Sequence, residues 1–218
     1  RMRGEEYEVL ASRVSAALRR VSFFVIPSAA VYLVLGDVVV AAVFQTGAFG
    51  SVETLVTWGV LSAYAIGLPA SASSRVLSSA FYALRDTKTP AKIAYIRIVV
   101  SIVIGLSLMI PLDNLGFVQL RLGASGLALG ASAGAWLEYV LLRRSLRVRI
   151  GAHGPGSSSV LRVTLAATLA VSSGVLLQLT LPVTHPIVLG IGTLIPAGLV
   201  YLGTAAFLGE EISARVRG

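Results

Sequence analysis

Six long apolar stretches separated by short polar ones dominate the sequence and leave it few ways to fold. A helix needs ~20 residues to cross a hydrocarbon layer of ~30 Å. The stretches Val21–Phe44, Thr54–Ser74, Ile93–Leu112, Leu122–Leu142, Leu161–Leu181 and Ile187–Leu208 all reach that length. No water serves open backbone groups inside such a layer, and the runs are too long and too evenly apolar for barrel strands, so they are expected to be helices. The class is an all-α, polytopic membrane helix bundle of six spans. Composition agrees, since 56% of the 218 residues are hydrophobic and 13% charged, about half the charged share of a water-soluble domain.

The basic residues indicate an orientation, because Lys and Arg of short connections stay in the cytoplasm. Of eighteen, sixteen lie at the N-terminus (Arg1, Arg3, Arg13, Arg19, Arg20), around the second connection (Arg85, Lys88, Lys92, Arg97), around the fourth (Arg143, Arg144, Arg147, Arg149, Arg162) and at the C-terminus (Arg215, Arg217). The first, third and fifth connections hold Arg121 alone, and Arg75 lies within or just below the second span. Both termini and the even-numbered connections are therefore expected in the cytoplasm, which requires an even number of spans. The net charge of +8 is spread over helix ends instead of one solvated face, so nucleic acid is not the expected partner. With no cysteine there is no disulfide framework and no thiolate chemistry. His153 and His185 fall in different connections without an acidic partner at ligand spacing, and neither a metal site nor a cofactor is read.

Residues 1–20 are read as a cytoplasmic amphipathic helix, with Tyr7, Val9, Leu10, Val14 and Leu18 set among charges, and residues 21–218 as the six-span region. The start does not resemble a secretory signal. Because the first residue is Arg1 and not Met, the chain is expected to be part of a longer polypeptide.

The departures from plain lipid-facing helix carry the chemistry. The second stretch continues to Leu84, and as one helix from Thr54 it would run ~46 Å, so its lower part must tilt or project. Along that part Ser71, Arg75, Ser78 and Tyr82 recur at spacings of four, three and four, which places them on one face. A guanidinium at membrane depth is costly unless it meets water or a counter-ion. Two readings stay open: a polar stripe lining a cavity with Arg75 facing an anion, or Arg75 reaching out to headgroup phosphates. Arg97 poses the same choice, since only ~22 Å of helix separate it from Leu112. If both arginines face inward, they suit a phosphate or diphosphate, which guanidinium grips bidentately.

Gly126, Gly130 and Gly134 recur at fours in the fourth span, with Glu138 one step further. Overlapping GxxxG patterns let another backbone approach closely, so this helix is expected inside the bundle. Glu138 is the acidic residue best placed for coupling to protons, and an ion pair with Arg143 or Arg144 is the simpler reading. Asp37, after Gly36, reads as a residue that ends or caps a helix. Pro196, among the glycines of the sixth span, predicts a kink.

The most distinctive run is Phe81-Tyr82-Ala83-Leu84-Arg85-Asp86-Thr87-Lys88-Thr89-Pro90. It reads as a helix end, a tight polar turn and a new helix with Thr89 as N-cap and Pro90 in the first helical position. Together with Phe44-Gln45-Thr46-Gly47-Ala48-Phe49, with Leu115-Gly116 and with the stretch GLALGASAGAWLEYVLL, it resembles the MurJ (MviN) family of lipid II flippases, within the multidrug, oligosaccharidyl-lipid and polysaccharide exporter superfamily. The similarity runs in order over nearly the whole chain.

That resemblance implies a function. Family members have fourteen membrane helices in two lobes around a central cavity, and the six spans here resemble helices nine to fourteen. The missing N-terminal half of the same protein becomes the expected partner, and the substrate a lipid-linked one, a polyprenyl diphosphate glycopeptide, handled beside membrane lipids in the bacterial cytoplasmic membrane. The family's last two helices form an apolar groove for the polyprenyl tail, matching Leu161–Leu181 and Ile187–Leu208; contact with bilayer lipid explains those faces equally. Some members bind sodium through the helices matching spans three and four, where Ser101 and Gly105 stand here in place of amide or acid ligands. The implied mechanism is alternating access in cell-wall synthesis, without catalysis. No phosphate-binding GxxxxGK[ST] loop is present, so ATP is not the expected driver, whereas membrane potential supplies about 2.3 kcal/mol per charge per 100 mV. The alternatives are an exporter of another polyprenyl-linked glycan, a non-transporting scaffold, or a membrane-embedded transferase. The last needs convergent acid and base groups, and Asp37 and Glu138 are expected at opposite ends.

Overall fold

The computed structural model describes residues 2–45, 49–114, 122–180 and 185–209. Among them stand seven helices: α1 (Met2–Val34), α2 (Gly36–Phe44), α3 (Ser51–Ala83), α4 (Lys88–Asn114), α5 (Gly123–Ile150), α6 (Ser157–Thr180) and α7 (Pro186–Phe207). Six are long and apolar enough to cross a membrane, all but the short α2. Thr46-Gly47-Ala48, Leu115-Gly116, Arg1, Arg121, Arg215 and Arg217 lie outside the described residues.

α5 is the central element. It packs along α3 on one side and α4 on the other, while α3 and α4 scarcely touch each other. Small residues allow this. A Cβ built on Gly130 would stand 2.4–2.6 Å from backbone atoms of Gly105 and Ser101, so only glycine permits the crossing. The GxxxG stripe thus has α4 as its partner, and Ser101 and Gly105 are occupied in that contact. On the α3 side, the turn preceding Pro69 offers carbonyls to α5: Trp136 Nε1 donates to Ile66 O at 2.9 Å, and Ser132 Oγ donates to Ala63 O. Pro69 has no N–H to give to Ala65 O, four residues back, and the carbonyls that α5 takes up are others of the same stretch.

The first span differs from its expected form. The sequence gives one continuous stretch, Val21–Phe44, but the helix breaks at Leu35. Gly36 lies against the Trp58 ring, where a Cβ would come within 2.5 Å, and the carbonyl of Tyr32 accepts from Trp58 Nε1 and Ser62 Oγ, each at 3.2 Å. α3 side chains thereby take over an acceptor in the last turn before the break. Upstream, α1 runs unbroken from Met2, so residues 2–20 continue directly into the span. Val14 and Leu18 are buried with Leu77, Phe81, Leu142 and Leu146, whereas Tyr7 and Val9 remain exposed.

A second cluster joins α1, α6 and α7 through Phe23, Val163, Ala166, Ala170 and Tyr201. Tyr201 OH donates to the carbonyl of Phe23. α7 continues through Pro196 to Phe207.

The turn between α3 and α4 shows how the distinctive run folds. Asp86 N donates to Phe81 O at 3.0 Å and Arg85 N to Tyr82 O at 2.9 Å. With Arg85 at φ 59°, this is the Schellman helix ending, its left-handed position held by Arg in place of the usual Gly. Asp86 then starts the next helix. Its Oδ1 accepts from the backbone of Lys88 at 3.1 Å and Thr89 at 3.0 Å, and its Oδ2 from Thr89 Oγ1 at 2.6 Å. The N-cap is therefore Asp86, correcting Thr89, and Pro90 falls later in the first turn; a carboxylate reaches two backbone donors at once, which the shorter hydroxyl cannot. Arg149 of α5 closes the turn, 2.6 Å from Asp86 Oδ2 and over the ring of buried Phe81 at 5.5 Å. The hydrogen bond from the Thr89 hydroxyl, then that from the Thr89 N–H, and the Arg149 charge hold the Asp86 carboxyl below its ordinary value against the cost of partial desolvation.

Candidate functional site

In the lower half of α3, the four-three-four spacing brings Ser71, Arg75, Ser78 and Tyr82 to one cavity of about 290 Å³, completed by Ser74, Arg97 of α4 and Glu138 of α5. All five substrate-site residues expected from sequence converge there, with the residue read as a coupling candidate. The reason lies in the packing. α5 wedges between α3 and α4, so the gap left between those two becomes a slot whose walls are the facing stripes of both.

Arg97 and Glu138 form an ion pair, Nη1 to Oε2, at 2.6 Å. The Glu138 side chain is largely covered at 11% relative exposure, and that of Arg97 is open at 35%. Here the structure corrects the simpler reading of Glu138, which assigned it Arg143 or Arg144. Those residues lie one to two turns along α5, and Arg143 instead donates to Tyr139 OH at 3.3 Å. Because Gly134 lets the α4 backbone come close, with Arg97 O 3.0 Å from its ideal Cβ, Arg97 reaches Glu138 across the helix interface. Among the described residues Arg75 has no carboxylate within ion-pair distance, and it is exposed on the cavity wall.

Ser74 is the member that sequence reasoning missed. It is buried, and its Oγ is sealed from solvent with no hydrogen-bond partner. The signal was present, since position 74 follows 71 by three and precedes 78 by four, on the same face. The cavity therefore offers a free guanidinium, a second one held by a carboxylate, the hydroxyls of Ser71 and Ser78 and a phenol, with the Ser74 hydroxyl buried behind them. That set can take an anion with several oxygens, and it lacks the paired acid and base that covalent chemistry requires.

The last two helices pack on each other through Ala166, Ala170, Tyr201 and Ala205. Their aliphatic rows face outward, with Leu165, Leu169 and Leu176 on α6 and Ile191, Ile195 and Leu199 on α7 all exposed.

Comparison with known proteins places this arrangement. The family described as lipid II flippase MurJ matches residues 2–197. Lipid II flippase MurJ of Burkholderia cenocepacia is 34% identical over 131 residues, covering 60% of this chain and 23% of that protein. Probable lipid II flippase MurJ of Vibrio cholerae is 30% identical over 202 residues, 92% of this chain and 37% of the relative, and that of Rhizobium meliloti 28% over 170 residues, 77% and 30%. The solved structure of lipid II flippase MurJ in an inward closed conformation shares the fold, with a TM-score of 0.71 at 22% identity over 95% of this chain and 41% of that one. The chain thus spans well under half the length of the relatives it matches. With its sequence matched by the family almost throughout and its helices following those of a solved member, the chain belongs to the MurJ lipid II flippase family.

Proposed function

We propose that this chain is the C-terminal part of a lipid II flippase, supplying one wall of a cavity that receives the diphosphate of a polyprenyl-linked cell-wall precursor and exposes it alternately to the two faces of the bacterial cytoplasmic membrane. The observation that carries this reading is the convergence of Arg75 and Arg97 from two helices on one slot with three serines. A guanidinium without a carboxylate partner is unfavourable beside hydrocarbon and becomes favourable when an anionic group fills the slot.

The geometry supports different parts for the two arginines in this reading. Arg75 is free to dock a phosphate oxygen bidentately. Arg97 is aimed by Glu138, and a diphosphate entering the slot competes with that carboxylate for its donors. Ser71 and Ser78, both partly exposed, add neutral hydrogen bonds that position the head group. Glu138, released from its pair, is the group through which a proton could couple to the cycle. The outward aliphatic faces of α6 and α7 suit the polyprenyl tail. The remaining half of the same polypeptide supplies the opposite wall, and the two lobes rock about the bound head group. Following the distribution of basic residues, the slot opens to the cytoplasm with both termini on that side.

In the complete protein, Arg75→Ala is expected to lower lipid II translocation at least tenfold while leaving insertion and expression unchanged. Translocation is read as accessibility of labelled lipid II on the outer leaflet of proteoliposomes. Undiminished translocation removes Arg75 from the site.

A further inference from the structure

The Arg97–Glu138 pair does more than the fold requires of it. A buried carboxylate is expensive even when paired, and Glu138 is buried. The two helices that carry the pair are already held together without it. α5 seats Gly126 against the backbone of Leu108 and Met109, Gly130 against that of Gly105, and Gly134 against the carbonyl of Arg97, with ideal Cβ positions 2.8, 2.4 and 3.0 Å away. Buried ion pairs are often matched or bettered by apolar groups of similar volume, so packing alone gives no reason for this one.

Its geometry points to the slot instead. The Arg97 stem lies across α5 over Gly134, its Cγ 3.3 Å from the ideal Cβ there, and the guanidinium meets Glu138 one turn further on. Of the five N–H donors of a guanidinium, one at Nη1 is engaged among the described residues, by Glu138 Oε2. Arg97 is open to the cavity, and Glu138 lines that cavity with it. A phosphate entering the slot therefore meets a guanidinium that already has a counter-charge. Two guanidiniums and one carboxylate leave the described lining with a single net positive charge, less than a diphosphate brings in negative charge. Like charges a few ångströms apart in a low dielectric weaken the hold steeply.

For a carrier, that weakening is useful. A head group gripped by two unopposed arginines would enter readily and leave slowly, and turnover at saturation would be limited by release. Glu138 also stays behind when the head group leaves. α5 is fastened to α3 through Ser132 and Trp136 and to α4 through its glycines, so the carboxylate remains in place to take Arg97 back.

We infer that Glu138 is a release residue: its carboxylate weakens the grip of Arg97 on the diphosphate and reclaims the guanidinium as the head group departs. The inference rests on the flippase reading above and assigns Glu138 a part in turnover.

The test uses the complete protein, with fluorescently labelled lipid II as the probe. Its dissociation constant is measured in nanodiscs and its translocation rate, at saturating lipid II, in proteoliposomes. Glu138→Gln, which keeps shape and removes charge, is expected to bind about tenfold more tightly than the parent and to translocate about tenfold more slowly. A carboxylate that only braced Arg97 would instead give looser binding and slower translocation together. Glu138→Asp, which retains the charge, should keep both values close to the parent's. Binding by Glu138→Gln no tighter than the parent's overturns the inference, as does tighter binding with an undiminished rate. Should Glu138→Gln not fold, Glu138→Met, similar in length and uncharged, takes its place in the same two measurements. Failure of the parent to bind lipid II overturns the flippase reading and this inference with it, whereas parental binding and translocation without tightening in the variant overturn the inference alone.

Discussion

Asp86 illustrates how much one residue can organise, its backbone N–H ending one helix and its carboxylate starting the next. It closes one helix, opens the next and anchors α5 through Arg149, three jobs within one tight turn. Its lowered carboxyl sets the sign of a pH effect: the native state holds the proton less tightly than the unfolded chain, so its contribution is complete above the ordinary value of 3.8 and fades as pH falls through the lowered one. Asp86→Asn is therefore expected to lower the midpoint of thermal unfolding at pH 7, and the gap between variant and parent should shrink as unfolding is measured at progressively lower pH below 3.8. A gap of constant size would assign the effect to the amide's shape and not to charge. At this scale the sequence was informative wherever local spacing decides. The Ser71–Tyr82 stripe was readable because helical periodicity alone puts those residues on one face. The partner of Glu138 was not, because Arg143 is near in sequence while Arg97 is brought near only by the depth of the α4–α5 crossing.

Helices in a bilayer gain little from apolar burial against one another, since lipid tails are equally apolar, and close backbone approach has to hold them. The α4–α5 pair shows this in its most direct form, with Gly130 seated on the Gly105 backbone. Gly130→Ala gains about 1 kcal/mol of helix propensity, but overpacking of this kind typically costs about 1–3 kcal/mol, and at 2.4 Å from backbone no flexible side chain can yield. With the cost at the upper end of that range, a net loss of about 2 kcal/mol is expected, read as reduced thermal stability in detergent together with loss of the Arg97–Glu138 pair; a stabilised variant would show that the helices are already apart. GxxxG spacing made a close contact legible, though not which helix would supply it. The break at Leu35 was half legible: Gly36 and Asp37 read as a helix end or cap, and Asp37 does stand in the first turn of α2. That the span would restart as a second helix was not, because it depends on Trp58 and Ser62, more than twenty positions away, taking the carbonyl of Tyr32.

For the molecule as a whole, hydropathy and the asymmetry of basic residues sufficed for class and span number, since a low-dielectric slab admits so few backbone solutions. Orientation is open to direct measurement. These 218 residues have no cysteine, so once any cysteine elsewhere in the complete protein is replaced by serine, a single introduced one reports without background. In the complete protein, cysteines at Lys88 and Ala152 are expected to react with a membrane-impermeant maleimide only after the cytoplasmic face is opened, and one at Gly50 in intact cells; labelling of all three from one side would overturn the six-span arrangement. What sequence could not supply was the joint geometry of the arginine slot, because it is assembled from three helices.

α3 runs for 33 residues with Pro69 inside it, so its two ends meet at a proline turn and not along an unbroken shaft. Above that turn the carbonyls of Ala63 and Ile66 are fastened to Ser132 and Trp136 of α5, whereas the stripe from Ser71 to Tyr82 hangs below it. A bend at the proline therefore alters the mouth of the arginine slot while the upper half keeps its seat.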